Sequence, residues 1–517
     1  MKLKFSRKLR ILTFSLLATL AAIFCLYLYE TKDARQFEQL SQDLLYTELS
    51  GNTISLHYTL AYPENYGLSA DPILPSSFTD VDTRAQVTEW QRRLSCIDPQ
   101  KLDPQDRYAY LLFDRFLALT LEGADFTYYT DPLSPSSGMV SGLPVLLADY
   151  TFRTKKDVEN YLGILEQTGA YFDALIRYEQ EKSSAGLFMS DTSADNVIEQ
   201  CDSIMDPVLL SDGSHFLQQT FTERLDGLAS DEIITGEEKQ QYIDKNNLLL
   251  TTVMAPAYER VGDAFLVLKG TGTNPYGLCY YPEGKEYYTY LLAQTTGSSR
   301  SIPEIRRLLE KDYQKNFHAL RDLVKEHPGL LKLSPEDFSL SLNMQNSYSD
   351  HPEEPGDTDL PTKPAATSDI LCRLSEAILD DLQKQMKPDF PKLTCIPEAK
   401  AGQEHDGESN SVSCQIKKVS SSMEAYSSPA YYLTPPIDDL WHNTIYLNEP
   451  NITDDLTLYT TLAHEGYPGH LYQTVYSQSF LNQQNASCIR SMLHYGGFVE
   501  GWAVYVENLS YGYAAQL

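Results

Sequence analysis

Two stretches near the end of the 517-residue chain carry side chains that could do chemistry together. The first is Thr461-Leu-Ala-His464-Glu465-Gly-Tyr-Pro468-Gly-His470, and the second is Gly497-Phe-Val-Glu500-Gly-Trp-Ala-Val-Tyr505-Val-Glu507. Two imidazoles and a carboxylate around one divalent ion, with a fourth position open to water, make a catalytic zinc site. The expectation is therefore one zinc ion per chain on His464, His470 and Glu500, with Glu465 as the catalytic general base. The common arrangement is H-E-x-x-H, whose spacing puts both rings on one helix face. Here the pattern is H-E-x-x-x-x-H.

Six residues at about 100° each turn the second ring roughly 120° from the first and carry it about 9 Å along the axis, so a regular helix does not chelate one ion. Pro468 offers a remedy, because a proline ring clashes with the carbonyl four residues earlier, here that of His464. Either two extra residues are absorbed as a wide bulge, or one helix stops at Gly466 and another starts with Pro468 as its first residue. Glu500 is expected on a separate helix, sharing a face with Val504 and Glu507. Glu507 is thereby placed to orient a ligand ring by a hydrogen bond from behind, or else is a surface charge. The bland alternative for the pair is two satisfied histidines at a helix break. His494 is set aside as a ligand, since it also stands six residues from Glu500 with no proline between. Tyr446, Tyr467 and Tyr505 could donate to a developing oxyanion, but 36 tyrosines leave none singled out.

These motifs resemble the bacterial family known as domain of unknown function 885, which is placed among the zincin-like metallopeptidases of the glutamate-ligand type. The resemblance extends upstream through Pro282-Glu-Gly-Lys-Glu-Tyr-Tyr and Ser428-Pro-Ala-Tyr-Tyr-Leu-Thr-Pro-Pro-Ile-Asp. It implies a mostly helical fold, a peptidase activity and metal ligands at His464, His470 and Glu500. Members of that family run on past the Glu-Gly-Trp segment, whereas this chain ends at Leu517, so it is expected to be truncated. Catalytic groups supplied by such a tail would then be missing.

The elements that must position the site follow from local pattern. Thr453 is expected to cap a helix whose first turn holds Asp454 and Asp455, with Leu456, Tyr459 and Ala463 on one face. Strand character is confined to Val412–Val419, Ala430–Leu433 and Thr444–Asn448. In zinc peptidases an edge strand just before the metal helix takes the extended substrate by strand addition. Ile445–Asn448 is expected to play that part, with Tyr446 and Asn448 as substrate contacts, or else to be an ordinary sheet strand. Most of the rest reads as successive amphipathic helices, among them Thr83–Leu94, Lys155–Leu165, Gly236–Ala257, Glu286–Thr295 and Ile302–His327, with Thr154 and Ser230 as N-caps. The expected fold class is mainly α: a large zincin-like helical domain with a small β-sheet near the metal helix.

Residues 1–10 are basic and Ile11–Tyr29 is free of charge, long enough to span a bilayer. The expected layout is a cytoplasmic tail (1–10), an uncleaved transmembrane signal anchor (11–29) and an extracytoplasmic domain (30–517), with polar inserts at about 346–368 and 401–413. Removing Lys2, Lys4, Arg7, Lys8 and Arg10 from the 41 basic residues leaves 36 against 71 acidic ones, a surface that repels nucleic acid. Eight cysteines without a C-x-x-C pair argue against a cysteine zinc site, and a bridge between Cys395 and Cys414 is left open against free thiols. Gly270–Gly277 lacks the lysine of a P-loop and reads as a plain loop. The expected partners are a peptide substrate and the membrane. A zinc hydrolase of non-peptide amides or esters, or a non-catalytic helical surface protein, remains the alternative.

Overall fold

The helix starts follow the capping chemistry written in the sequence. Thr154 with Asp157, Thr235 with Glu238, and Ser301 with Glu304 each form a reciprocal capping box at the head of Lys155–Ser184, Gly236–Leu249 and Ile302–Glu326. Ser230 is not a cap: it is the last residue of Phe216–Ser230 and its hydroxyl donates back to the Asp226 carbonyl. Ile234 is drawn into the core just before Thr235, which moves the next helix start five residues on. The computed structural model describes residues 31–515 except 69–70, 80–81, 273–276, 333–366, 394–411, 420, 422–423, 425–426 and 494.

In chain order the helices are Lys32–Leu49, Thr53–Thr59, Thr83–Ser95, Pro104–Gly123, Met139–Ala148, Lys155–Ser184, Asp191–Ile204, Pro207–Asp212, Phe216–Ser230, Gly236–Leu249 and Ala255–Leu268. They continue with Gly284–Thr296, Ile302–Glu326 and Thr367–Gln385 before three strands, then Asp455–Glu465, His470–Gln483, Ile489–Met492 and Gly496–Ala514. The segment expected as a helix over Gly236–Ala257 runs on to Leu268 through one π turn at Leu250–Met254. That turn ends two residues before Pro256, whose ring would meet the Thr252 carbonyl in a regular ladder.

Among the described residues five buried clusters form, three of them large. The largest surrounds Lys155–Ser184 and takes Leu165, Phe172, Phe221, Tyr258 and Phe265. A second joins Lys32–Leu49, Thr83–Ser95 and Pro104–Gly123 through Phe37, Trp90 and Phe113. The third holds the chemistry: Leu458, Tyr459, Leu462 and Ala463 of Asp455–Glu465 pack on Ile378, Leu379 and Leu382 of Thr367–Gln385. Full burial of each large apolar side chain contributes about 1.5–3 kcal/mol, so this contact fixes a short helix that propensity alone would not hold.

The strands β1 (Ser413–Lys418), β2 (Ala430–Leu433) and β3 (His442–Leu447) form one sheet in the order β1-β3-β2. β1 runs parallel to β3 with Ile416 opposite Ile445, and β2 runs antiparallel with Tyr432 opposite Ile445. β3 is therefore the central strand, which corrects the expectation of an edge at Ile445–Asn448. Its alternation sends Ile445 and Leu447 into the cluster around Asp455–Glu465, while Tyr446 packs on the larger cluster behind.

The mainly helical architecture with a small sheet next to the site is as expected. No helix among the described residues is long and apolar enough to cross a membrane, and the anchor expected at Ile11–Tyr29 lies outside them. Cys395, most of the inserts at 346–368 and 401–413, and part of the Gly270–Gly277 loop also lie outside. Cys96, Cys201, Cys279, Cys414 and Cys488 are free thiols, so no bridge between Cys395 and Cys414 is formed.

Candidate metal centre

The helix that carries His464 and Glu465 starts one residue later than its threonine suggested. Asp454 is the cap, accepting from the Thr457 amide at 2.9 Å, while the Thr453 hydroxyl donates to Asp454. At the other end Gly466 leaves the helix with φ −107° and ψ −101°, the Tyr467–Pro468 bond is cis, and a new helix begins at His470 after Gly469. The second of the two expected solutions is the one realised, with Pro468 in the connection and not in the helix. A Cβ on Gly469 would stand 1.8 Å from the His464 carbonyl oxygen, so only glycine lets the second helix start against the end of the first. The two rings come to 4.8 Å between centroids, nearly perpendicular.

Glu500 arrives on the closing helix Gly496–Ala514, whose buried face is Ala503, Val506, Ser510 and Tyr513. One carboxylate oxygen lies 3.5 Å from His464 Nε2 and the other 3.6 Å from His470 Nε2. Both distances are long for hydrogen bonds and close to the roughly 3.3 Å between two ligands about 2 Å from a tetrahedral ion. The three ligand atoms lie within 4.8 Å of one another. The donor set, two imidazoles and one carboxylate, fits zinc. His494 lies outside the described residues.

The partners behind these groups complete the arrangement. Glu507 Oε2 lies 3.0 Å from His464 Nδ1; a proton donated there leaves the Nε2 lone pair for a metal. Burial and the neighbouring His464 pull the His470 ring below the usual histidine range, favouring its neutral, metal-binding form. Burial pushes the Glu465 carboxyl up to about 7, partly opposed by His464. Its Oε2 accepts the Tyr432 amide at 2.9 Å. The side chain of Glu500 is 63% exposed, against 18% for His464 and 12% for His470, so the cluster opens to solvent on the carboxylate side.

Tyr446 and Asn448 are not brought to this cluster. The Tyr446 hydroxyl donates to Asp149 at 2.6 Å, and the Asn448 amide, fully buried, donates to the Glu424 and Ser427 carbonyls. Tyr446 lines instead a cavity of about 1020 Å³ behind the sheet, with Arg153, Arg224, Lys417 and His442, into which none of the metal-centre residues projects. Of the other two tyrosines, Tyr467 is buried and Tyr505 is exposed on the helix of Glu500. Sequence reasoning missed Tyr432, Gly469 and Trp502, whose indole N–H donates to the Pro468 carbonyl at 2.8 Å. Gly469 and Trp502 both stand inside the two motifs, and Tyr432 inside the upstream segment Ser428–Asp438 and its strand, but nothing there points to Glu465.

The profile of the bacterial family described as "Bacterial protein of unknown function (DUF885)" matches residues 74–515, and the chain belongs to that family. No curated protein matches the chain in sequence. Among solved structures it is similar to "the putative lipoprotein from Colwellia psychrerythraea", with a TM-score of 0.70 and 17% identity over 94% of this chain and 78% of that one. It is also similar to "a putative lipoprotein of unknown function from Shewanella oneidensis", with a TM-score of 0.50 and 14% identity over 92% of this chain and 77% of that one. At these identities the likeness is one of fold.

Proposed function

We propose that this member of the DUF885 family is a zincin-like, zinc-dependent peptidase acting outside the cytoplasm. The observation that carries the reading is the convergence of His464, His470 and Glu500 to within 4.8 Å, with a half-buried glutamate next in sequence to one of them. His464, His470 and Glu500 would hold the zinc ion, which would supply an acidified water and a Lewis acid for the scissile carbonyl. Glu465 then takes the water's proton and returns it to the leaving amine. The Tyr432 amide holds one oxygen of Glu465, which leaves the other to face the reacting atoms. Glu507 keeps His464 in the tautomer and orientation that a ligand needs. For location, the uncharged run Ile11–Tyr29 is read as a single-pass anchor, and two proteins of similar fold are described as lipoproteins, which supports an extracytoplasmic setting.

The test is zinc content in the wild type and His464→Ala, together with cleavage of a peptide library by the wild type and Glu465→Gln. The expected result is one zinc per chain, lost in His464→Ala, and a Glu465→Gln protein that keeps zinc but loses cleavage. A wild type without stoichiometric zinc, or a Glu465→Gln protein as active as the wild type, ends the peptidase reading. Turnover of amide or ester substrates without peptide cleavage moves it to the non-peptide hydrolase.

A further inference from the structure

Glu500 is a long and mostly exposed side chain, so its place beside the two imidazoles is set by where its helix lies and not by packing of the carboxylate itself. Two polar ties lock the closing helix to the two histidine segments. Glu507 reaches His464 directly, 3.0 Å from Nδ1. Trp502 reaches the other segment, donating its indole N–H at 2.8 Å to the carbonyl of Pro468, two residues before His470, while Trp502 itself stands two residues after Glu500. The indole is aimed by neighbours: its ring meets Phe390 at 5.8 Å and 75°, Phe390 meets Tyr472 at 5.9 Å and 69°, and the Tyr472 hydroxyl donates to the Pro391 carbonyl at 2.7 Å.

We propose that Trp502 is a positioning residue for the metal centre: its indole N–H fixes the connection before His470 against the helix of Glu500, and so sets the separation of those two ligands. The inference rests on the zinc reading above. Trp502 touches neither metal nor substrate; it acts through Pro468 and the backbone that follows. Removing such a support behind a ligand weakens metal binding about 10–100-fold.

The experiment measures the zinc dissociation constant by competition with a chromophoric chelator in wild type and Trp502→Phe, with thermal unfolding of both metal-free proteins and hydrogen exchange of the Trp502 indole in the metal-free wild type. The expected result is a 10–100-fold weaker zinc constant, a nearly unchanged metal-free melting point and a protected indole. A purely structural role would lower the metal-free melting point and leave the zinc constant within about twofold of wild type, which overturns the proposal. An indole that exchanges as fast as free tryptophan overturns it too, whether or not zinc binds. A wild type that binds no zinc while its indole is protected removes the zinc reading but leaves the tie between the segments standing. Where Trp502→Phe fails to fold, benzothienylalanine at 502 keeps the ring shape, removes only the N–H, and carries the same two outcomes.

Discussion

Two glutamates in this molecule are pushed up to about 7 by burial, and they do different things. Glu179 sits near the end of Lys155–Ser184, fully buried, with neither carboxylate oxygen hydrogen-bonded. Its neighbour Lys182, also fully buried, is taken up by Asp131 and by the Thr130 carbonyl at 2.8 Å. Glu179 and Lys182 are themselves closed off from solvent, and only their partners Thr130 and Asp131, on a loop, reach the surface. Glu465 has a similar shift, yet it is held by a strand amide, stands next to a histidine, and borders a cluster drawn from three segments that opens to solvent at Glu500. A perturbed carboxyl therefore does not identify a site; convergence and access do.

The sharpest way to break this contrast is to neutralise each glutamate. Glu465→Gln is expected to lower peptide cleavage by about 10²–10⁴ with zinc retained, because proton transfer in the transition state is lost. Glu179→Gln is expected to leave cleavage unchanged and to alter stability instead. A carboxyl whose folded pKa lies above its unfolded value binds more protons when folded, so stability falls as pH rises from the unfolded value of 4.5 through about 7. The interval corresponds to about 3 kcal/mol. Wild-type stability measured by urea unfolding should thus drop between pH 4.5 and pH 8, and Glu179→Gln should shrink that drop by about 3 kcal/mol, leaving the share that Glu465 contributes. Equal drops in both proteins would show that Glu179 is not the buried acid it is taken to be.

A smaller effect sharpens the other side. Glu507→Gln keeps the shape but weakens the hold on His464 Nδ1, so chelator competition should read zinc binding about 10–100-fold weaker. Glu507 was legible in the sequence because a helix face repeats locally, at seven residues from Glu500. His464, His470 and Glu500 were legible as candidates from residue type and from the proline between the histidines, and most helix starts from capping residues such as Thr154 and Ser301, which act within their own turn. What could not be read was set by contacts distant in sequence. The strand order depends on β1 inserting parallel to β3 from about thirty residues upstream, which no pattern inside Thr444–Asn448 records. The break after Glu465 was announced by Pro468, but its form depended on Gly469 fitting against the His464 carbonyl. Tyr432 meets Glu465 only because β2 is the edge beside the helix Asp455–Glu465.

That last point gives the smallest and most discriminating substitution. Were β3 the strand that takes a substrate, Tyr446 would matter to cleavage; as the central strand it faces Asp149 across the rear cavity. Tyr446→Phe removes one hydrogen bond to a carboxylate that keeps Lys417 at 2.7 Å, so about 1 kcal/mol of stability is expected to go. KM, kcat and zinc binding should all stay at wild-type values. A rise in KM without loss of stability would return Tyr446 to the substrate side, and would mean that the cavity behind the sheet and the metal centre in front of it serve one ligand.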